Sequence, residues 1–176
     1  KMMNLIGKST IEKIWHRHFL DSFQAIDFID KNQKILVDLG SGAGFPGVIL
    51  SIIALEKKIP LKVKLIERSS KKVNFLEEIV SKLKLNVDVI KQNVEEKKFK
   101  FTDQIFIARA FKPLPKILEL IHSKAKNLEK IIIFLGKSGN KELLRASKNW
   151  DIKYKQRMSV TSRDSFIIEI NKLKKK

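Results

Sequence analysis

The chain has 176 residues, 43% of them hydrophobic, which fits one globular domain with a sizeable core. It contains no cysteine and three histidines, so the sequence offers no disulfide framework and no thiolate metal site, and we expect no metal. Lysine and arginine number 37 against 19 acidic residues, a formal charge of +18 that favours a nucleic-acid partner, although a lysine-rich composition by itself also produces such an excess.

The predicted elements alternate between short β-branched runs and amphipathic stretches of helical length, the pattern of βα units on a largely parallel sheet. A capping-box pattern from Ser9 to Glu12 predicts the start of a helix through residues 11–26. Beyond it the pattern predicts five strands, at residues 35–39, 63–66, 87–90, 104–108 and 131–135. Four helices are predicted among them, at residues 46–57, 70–83, 113–124 and 140–149.

After Trp150 this alternation stops. Residues 152–158 and 165–173 are two strand-like runs with no helix between them, which predicts an antiparallel hairpin at one edge of the sheet. The sequence therefore predicts an α/β fold with a sheet of seven strands.

A glycine-rich stretch, ILVDLGSGAGFPG, joins the first predicted strand to the next helix at residues 35–47. Gly40, Gly42 and Gly44 stand at alternate positions after the strand, where glycine permits positive φ angles and close approach of the backbone to a ligand. Together with Gly47, the last two also spell the G-x-G-x-x-G pattern of dinucleotide sites. The loop therefore suits either a dinucleotide or S-adenosylmethionine.

Acidic residues stand at the ends of the first three predicted strands, where open α/β sheets bind ligands: Asp38, Glu67 and Glu95. A sulfonium donor in so basic a protein requires carboxylates close by, because distant lysines are screened beyond ~8 Å. Glu67 suits the ribose hydroxyls, residues 93–95 suit the adenine, and Phe45 offers apolar packing beside it. Asp38 suits a helix cap equally well, and Glu95 within EEKK also suits a solvated surface.

Arg109, in IFIARAF, directly follows a predicted buried strand, where a charge requires either a protein partner or a ligand. This makes Arg109 a candidate site residue. Phe111 lies two residues further on and suits either stacking on a nucleic-acid base or packing in the core.

Several motifs in order resemble one family: RHFLDSF, VDLGSGAGFPGVILSI, LIERSSKKVNFLEEI, NVEE, IARAFKPLPKILEL and FLGKSG. They are similar to those of small-subunit rRNA methyltransferase G (RsmG), over residues 4–170. The resemblance implies a class I, Rossmann-like methyltransferase fold in three α/β/α layers, with an antiparallel last strand. It also implies methylation of guanine N7 in a conserved loop of 16S rRNA, with S-adenosylmethionine as methyl donor.

The resemblance also implies which residues contact the donor. It assigns the donor to Gly40 and Phe45 in the glycine loop, with Gly42 and Gly44, and to Glu67, Val94, Glu95 and Arg109. Arg17 and His18 match a recurring N-terminal motif that suits packing on the sheet or RNA contact. Where FLGKSG has Lys137 and Gly139, the family more often has an adjacent Lys-Gly pair, so Ser138 is a departure.

We expect one methyltransferase domain over residues 1–176, with a helical part at 1–30 that is truncated and a Rossmann-like core at 31–176. No apolar run approaches the roughly 18 residues of a membrane span, and KMMNLIGKST does not have the apolar run of a secretory signal. We expect a cytoplasmic monomer whose partner is 16S rRNA or the small ribosomal subunit. Because guanine N7 carries a lone pair and loses no proton before attack, we assign no catalytic acid or base.

Two other functions stay open at this stage. The G-x-G-x-x-G pattern, with Glu67 about 20 residues beyond it, suits a nicotinamide-dependent oxidoreductase. The basic charge also suits a non-catalytic RNA-binding protein on the same fold.

Overall fold

A computed structural model describes residues 11–30, 35–103 and 105–176. Its strands are β1 (Ile35–Leu39), β2 (Lys62–Glu67), β3 (Val87–Lys91), β4 (Ile105–Arg109), β5 (Lys130–Leu135), β6 (Trp150–Met158) and β7 (Phe166–Lys175). They form one sheet in the order β3-β2-β1-β4-β5-β7-β6. Strands β1 to β5 pair in parallel, and β7 lies antiparallel between β5 and β6. The seven strands, the edge hairpin and the antiparallel last strand are therefore confirmed.

The helices between the strands also lie close to their predicted bounds. They are α2 (Gly47–Glu56), α3 (Ser70–Lys82), α4 (Leu114–Lys124) and α5 (Gly139–Ser147). Of the residues used in the predictions, Ser9 of the capping box and Gln104 at the start of a strand lie outside the described ranges.

The predicted helix at residues 11–26 differs from the structure in its hydrogen bonding. A π-helical turn (Trp15–Leu20) is followed by α1 (Asp21–Phe23) and a 3₁₀ turn (Gln24–Phe28), and we call these three together the N-terminal segment. Two side chains donate to carbonyl oxygens of the π-helical turn: Ser22 Oγ to His18 at 2.6 Å, and Arg109 to Arg17. Such donors compete with the regular ladder and alter its pitch, which sequence periodicity does not reveal.

Each face of the sheet is covered by helices. Leu36, Leu65 and Ile107 pack in a core with α2, α3 and the N-terminal segment. Their neighbours along the strands, such as Val37 and Phe106, pack in a second core with α4 and α5. Successive residues of a strand point to opposite faces of the sheet. Because helices bury both faces, the central strands are apolar at nearly every position.

The same alternation decides where the polar strand-end side chains point. Asp38, Glu67 and Arg109 lie two residues beyond Leu36, Leu65 and Ile107 respectively, and therefore share the face covered by α2 and the N-terminal segment. β1 and β4 are neighbours at the centre of the sheet. After β1 the chain continues to β2 on one side, and after β4 it continues to β5 on the other side. Open α/β sheets bind ligands in the crevice that forms at such a switch point.

The start of α5 depends on a close approach to the sheet. A Cβ atom at Gly139 would lie 2.7 Å from the Phe166 ring and 2.8 Å from Cβ of Leu135. Neither neighbour has free space, because Phe166 and Leu135 are both buried in the core beneath α4 and α5.

Gly139→Ala is therefore expected to lower the free energy of unfolding by roughly 1–3 kcal/mol through overpacking. Gly136→Ala is the matched control, since a Cβ atom there would meet nothing within 4 Å and the change is expected to stay within about 0.5 kcal/mol. Urea denaturation of both variants measures the difference. Equal stabilities would show that α5 shifts freely on the sheet.

Candidate functional site

The glycine loop has the backbone that the sequence predicts. Gly40, Gly42 and Gly44 have φ angles of 69°, 58° and 92°. The amides of Gly40 and Ser41 both donate to the carbonyl of Ile66, at 2.9 and 3.1 Å, which folds the loop over the end of β2. A side chain at any of the three glycines would require the left-handed region that L residues rarely adopt.

Glu67 ties this loop to the start of α3. Its Oε2 accepts a hydrogen bond from the amide of Gly42 at 3.1 Å, and its Oε1 accepts one from the amide of Ser69 at 2.8 Å. The side chain is nearly enclosed, with the residue 7% exposed. A carboxylate offers about four lone-pair positions, so two further hydrogen bonds remain possible.

Glu67 is also part of the wall of a cavity, which we call the β2–β3 cavity. It has a volume of about 240 Å³ and is lined by Gly40, residues 66–68, Lys72, residues 92–95 and residues 110–112. Its polar groups have both signs: Glu67 and Glu95 face Arg68, Lys72 and Lys112. The acids expected at the strand ends are therefore only part of its charged wall.

An ion pair connects two sides of this cavity. Lys112 Nζ lies 2.9 Å from Glu95 Oε1 and joins the loop after β4 to the loop after β3. The hydrogen bond and charge of Lys112 lower the pKa of Glu95. Val94, beside it, is buried and contributes apolar wall, and the Glu95 amide donates to Asn93 Oδ1 at 3.1 Å.

Phe111 closes the cavity on the glycine side. A Cβ atom at Gly40 would lie 2.2 Å from Cδ2 of its ring, so the ring rests on the glycine backbone. The ring also packs against the core beneath α4 and α5. Ala110, just before it, has a φ of 49°, a conformation that costs a non-glycine residue on the order of 1 kcal/mol and is typical of functional loops.

Asp38 does not line the β2–β3 cavity. It is 1% exposed, and its Oδ2 accepts a hydrogen bond at 2.9 Å from the amide of Gly47, the first residue of α2. Burial raises the pKa of Asp38 to about 7, and the hydrogen bond from Gly47 opposes that rise. Of the two roles that the sequence allows, the structure shows the helix cap.

Arg109 has a protein partner. Its guanidinium lies 3.1 Å from Asp21 Oδ2 and also donates to the carbonyl of Arg17 and, at 3.5 Å, to Ser22 Oγ. The guanidinium carbon lies 5.8 Å from the centre of the Phe134 ring. Burial lowers the pKa of Arg109, and the Asp21 carboxylate opposes this effect. The sequence motif RHFLDSF contains Asp21, but nothing in the motif indicates its partner.

A second cavity, which we call the β4–β5 cavity, lies at the ends of β4 and β5. It measures about 320 Å³, and its polar wall includes Arg17, Asp21, Arg109, Ser159 and Thr161. Ala110 and Lys112 line both cavities, so the two spaces are neighbours across the loop that follows β4. Three hydroxyl residues of this wall, Ser159, Thr161 and Ser165, come from the turn between β6 and β7 and carry no signal in the sequence.

The ring of Phe45 packs away from both cavities. Its ring centre is 5.0 Å from that of His18 and 5.3 Å from that of Phe19, so it packs against the N-terminal segment. It is absent from the walls of both cavities. Burial and the nearby Arg109 lower the pKa of His18.

The FLGKSG motif lies at the start of α5. Lys137 is exposed, and Ser138 Oγ donates to Glu142 Oε1 at 3.0 Å. Glu142 Oε2 accepts a hydrogen bond from the amide of Leu114 at 2.6 Å and so joins the starts of α4 and α5. The departure at Ser138 therefore has a structural role in this chain.

Within residues 11–30, 35–103 and 105–176, no three His, Cys, Asp or Glu side chains are grouped so as to hold a metal ion. None of the helices in those ranges is both long and apolar enough to cross a membrane.

Known sequences similar to this chain share one family description. The profile of the family described as rRNA small subunit methyltransferase G matches residues 1–168. The ribosomal RNA small subunit methyltransferase G of Pelagibacter ubique is 43% identical over 176 residues, covering 99% of this chain and 82% of that protein. The protein of the same name from Rickettsia felis is 36% identical over 175 residues, covering 99% of this chain and 87% of that protein.

Solved structures share the fold. A SAM-dependent methyltransferase from Aquifex aeolicus matches with a TM-score of 0.64 at 19% identity, over 96% of this chain and 98% of that one. TrmK of M. capricolum, in complex with S-adenosyl-homocysteine, matches with a TM-score of 0.58 at 22% identity, over 86% of this chain and 67% of that one. These likenesses confirm the predicted Rossmann-like fold class.

The raised pKa of Asp38 predicts a pH dependence of stability. The folded protein holds this proton more tightly than the unfolded chain, so the stabilisation is fully present below pH 3.8 and is lost as the pH rises through about 7. Asp38→Asn keeps an oxygen for the Gly47 amide and does not titrate. Relative to this variant, the native protein is expected to lose roughly 4 kcal/mol of unfolding free energy over that interval. Urea denaturation at a series of pH values tests this, and parallel profiles would contradict it.

Proposed function

Because the chain belongs to the rRNA small subunit methyltransferase G family, we propose that it methylates N7 of a guanine in 16S rRNA. As a member of that family it is an S-adenosylmethionine-dependent methyltransferase of small-subunit rRNA. The observation that carries the proposal is the pair of neighbouring cavities at the switch point of the sheet, which supports separate sites for the methyl donor and the acceptor base on either side of one loop.

We propose that the β2–β3 cavity holds the adenosine part of the donor. The donor supplies a methyl group bonded to a cationic sulfur. Glu67 has lone pairs left to accept hydrogen bonds from ribose hydroxyls, because its two observed partners use one position on each oxygen. Residues 93–95 offer backbone groups to the adenine edge, and the open space at Gly42, where a Cβ atom would meet only the Gly40 carbonyl at 3.7 Å, fits close approach of a ligand.

Of the other proposed donor contacts, Gly40, Val94 and Glu95 line this cavity. Gly44 belongs to the glycine loop, together with Gly40 and Gly42. Arg109 lies at the end of β4 and lines the neighbouring cavity beside Ala110 and Lys112, which line both cavities; from there we propose that it binds the carboxylate of the donor's methionine part. For Phe45, only the backbone suits a donor contact, since its ring packs against the N-terminal segment.

We propose that the β4–β5 cavity receives the target guanine. In an A-form helix N7 faces a deep and narrow groove, so the base must lie in a loop or turn out of its stack to be reached. A volume of about 320 Å³ accommodates a purine, and Arg17 and Lys112 provide positive charge for the adjoining phosphates. Since N7 attacks through its own lone pair, the protein's contribution is to align acceptor and donor and to exclude water, and no side chain acts as a base.

The basic residues at the edge of the sheet that carries both cavities are proposed to bind the RNA backbone. Lys97 and Lys98 are exposed in the loop after β3, directly beyond Glu95. The lysines at 172–175 lie at the end of β7, which runs antiparallel to β5 and therefore ends at the opposite edge of the sheet. The charge of the tail is therefore remote from the cavities.

We also propose that residues 1–176 act as one methyltransferase domain, as a monomer, in the cytoplasm. The exposed edge strand β6 supports the monomer, because Lys153, Lys155 and Arg157 lie on it, and charged edge strands oppose pairing with a second sheet. The oxidoreductase and the non-catalytic alternatives lose their support, since neither agrees with membership of a methyltransferase family.

Transcribed small-subunit rRNA offered with labelled donor tests the site of transfer. RNA made with guanosine is expected to accept the label at one guanine, and RNA made with 7-deazaguanosine is expected to accept none, because N7 is replaced by carbon. Label that persists on the 7-deaza RNA would show that another atom is the acceptor.

Charge reversal tests the RNA surface. Lys97→Glu with Lys98→Glu is expected to weaken RNA binding. The slope of the logarithm of the binding constant against the logarithm of salt concentration is expected to become shallower by about one to two, because one or two phosphate contacts are lost. Lys172→Glu with Lys174→Glu makes the same change of charge at the opposite edge and is expected to leave the slope nearly unchanged. Filter binding over a range of salt concentrations measures both. Equal effects of the two pairs would show that the RNA does not distinguish the edges.

A further inference from the structure

We infer that Asp21 is a positioning residue for donor binding, acting through Arg109. The structure connects the two through the 3.1 Å ion pair between Asp21 Oδ2 and the Arg109 guanidinium. The inference rests on the proposed function, which gives Arg109 a contact with the donor, and it extends that function to a residue outside both the glycine loop and the strand ends.

The position of Arg109 explains why it requires a partner. It is the last residue of β4, on the face covered by the N-terminal segment, and its side chain is 17% exposed. Its two terminal nitrogens are engaged with Asp21, the Arg17 carbonyl and Ser22, while in the described part of the chain its Nε–H donates no hydrogen bond. The Nε–H group of the guanidinium therefore remains available to donate a hydrogen bond to a ligand carboxylate. The methionine part of S-adenosylmethionine carries such a carboxylate.

Asp21 is itself held by other groups. Its Oδ1 accepts hydrogen bonds from Gln24 Nε2, Ser159 Oγ and Thr161 Oγ1, each at 2.9 Å. The Val160 amide in turn donates to Gln24 Oε1 at 3.2 Å. Asp21 therefore uses one oxygen to bind the turn between β6 and β7 and the other to hold Arg109.

This arrangement has two consequences for a donor that carries both a carboxylate and a cationic sulfur. Gln24 on the same segment and the turn between β6 and β7 fix the carboxylate of Asp21, so the long Arg109 side chain that it holds loses little further freedom when a ligand binds. The negative charge of Asp21 also offsets the positive charge of Arg109. Without it, Arg109 and the cationic sulfur of the ligand would repel each other. Both consequences require the charge of Asp21, whereas a purely structural role requires only its hydrogen bonds.

The test measures binding of S-adenosylhomocysteine by calorimetry, without RNA. Asp21→Asn is expected to raise its dissociation constant about tenfold or more, because the Arg109 side chain is no longer held in place for the carboxylate of the ligand. Asp21 also lines the β4–β5 cavity, so the readout is binding of S-adenosylhomocysteine in the absence of RNA, which does not depend on the acceptor base. Thermal unfolding of each variant shows whether the protein is folded under the assay conditions.

Asp27→Asn is the matched control. Asp27 lies on the same segment and pairs with Arg157 at 2.5 Å, but both side chains of that pair are about half exposed and neither lines a cavity. This variant removes one carboxylate charge from the segment and is expected to bind S-adenosylhomocysteine like the native protein.

A double-mutant cycle separates action through Arg109 from a general effect. In an Arg109→Met background, Asp21→Asn is expected to cause little further loss of affinity. Where Asp21→Asn does not fold, Thr161→Val replaces it, since it removes one hydrogen bond to Asp21 and keeps the shape of the side chain. Its dissociation constant is expected to rise about two- to fivefold.

Native-like affinity of Asp21→Asn, or of Thr161→Val in its place, would overturn the inference. So would an equal loss in the native and Arg109→Met backgrounds. A native protein that does not bind S-adenosylhomocysteine would instead overturn the proposed function, so the two failures are distinguishable.

Discussion

The pairing of β1 with β4 at the centre of the sheet is the constraint from which the site follows. Val37 lies opposite Phe106 and Asp38 opposite Ile107, while the other neighbour of β1 is β2. The chain therefore leaves these two central strands in opposite directions, and the loops that follow them diverge. The β2–β3 and β4–β5 cavities lie on the two sides of this divergence and meet at Ala110 and Lys112.

Local pairing of charges resolves the conflict between a basic protein and a cationic donor. The formal charge of +18 would repel a sulfonium if it acted at the site. At the two cavities, however, Asp21 pairs with Arg109 and Glu95 with Lys112, at 3.1 and 2.9 Å, and Glu67 adds a further acid beside Arg68 and Lys72. Lysines elsewhere are separated from the site by solvent, and physiological salt screens them beyond about 8 Å. On the proposed assignment of the cavities and of the RNA surface, the same protein attracts RNA over its surface and accepts a cation between paired charges.

Much of the fold was predictable because its physical causes are local in sequence. Alternating strands and helices, the edge hairpin and the positive φ angles of Gly40, Gly42 and Gly44 all follow from side-chain periodicity and from the absence of a Cβ atom. The N-terminal segment was predicted less well, as a regular helix. Its hydrogen bonds respond to Arg109, a residue almost a hundred positions away.

The sequence by itself determined the fold class, the ligand-binding edge of the sheet and the candidate residues at the strand ends. Only the tertiary structure decided what each of them contacts: Asp38 caps α2, Phe45 packs on His18, and Arg109 pairs with Asp21. The physical reason is that a strand's position and face follow from alternation within a few residues, whereas the partner of a buried charge comes from any segment that the fold brings near. A single sequence does not encode that proximity in any local pattern.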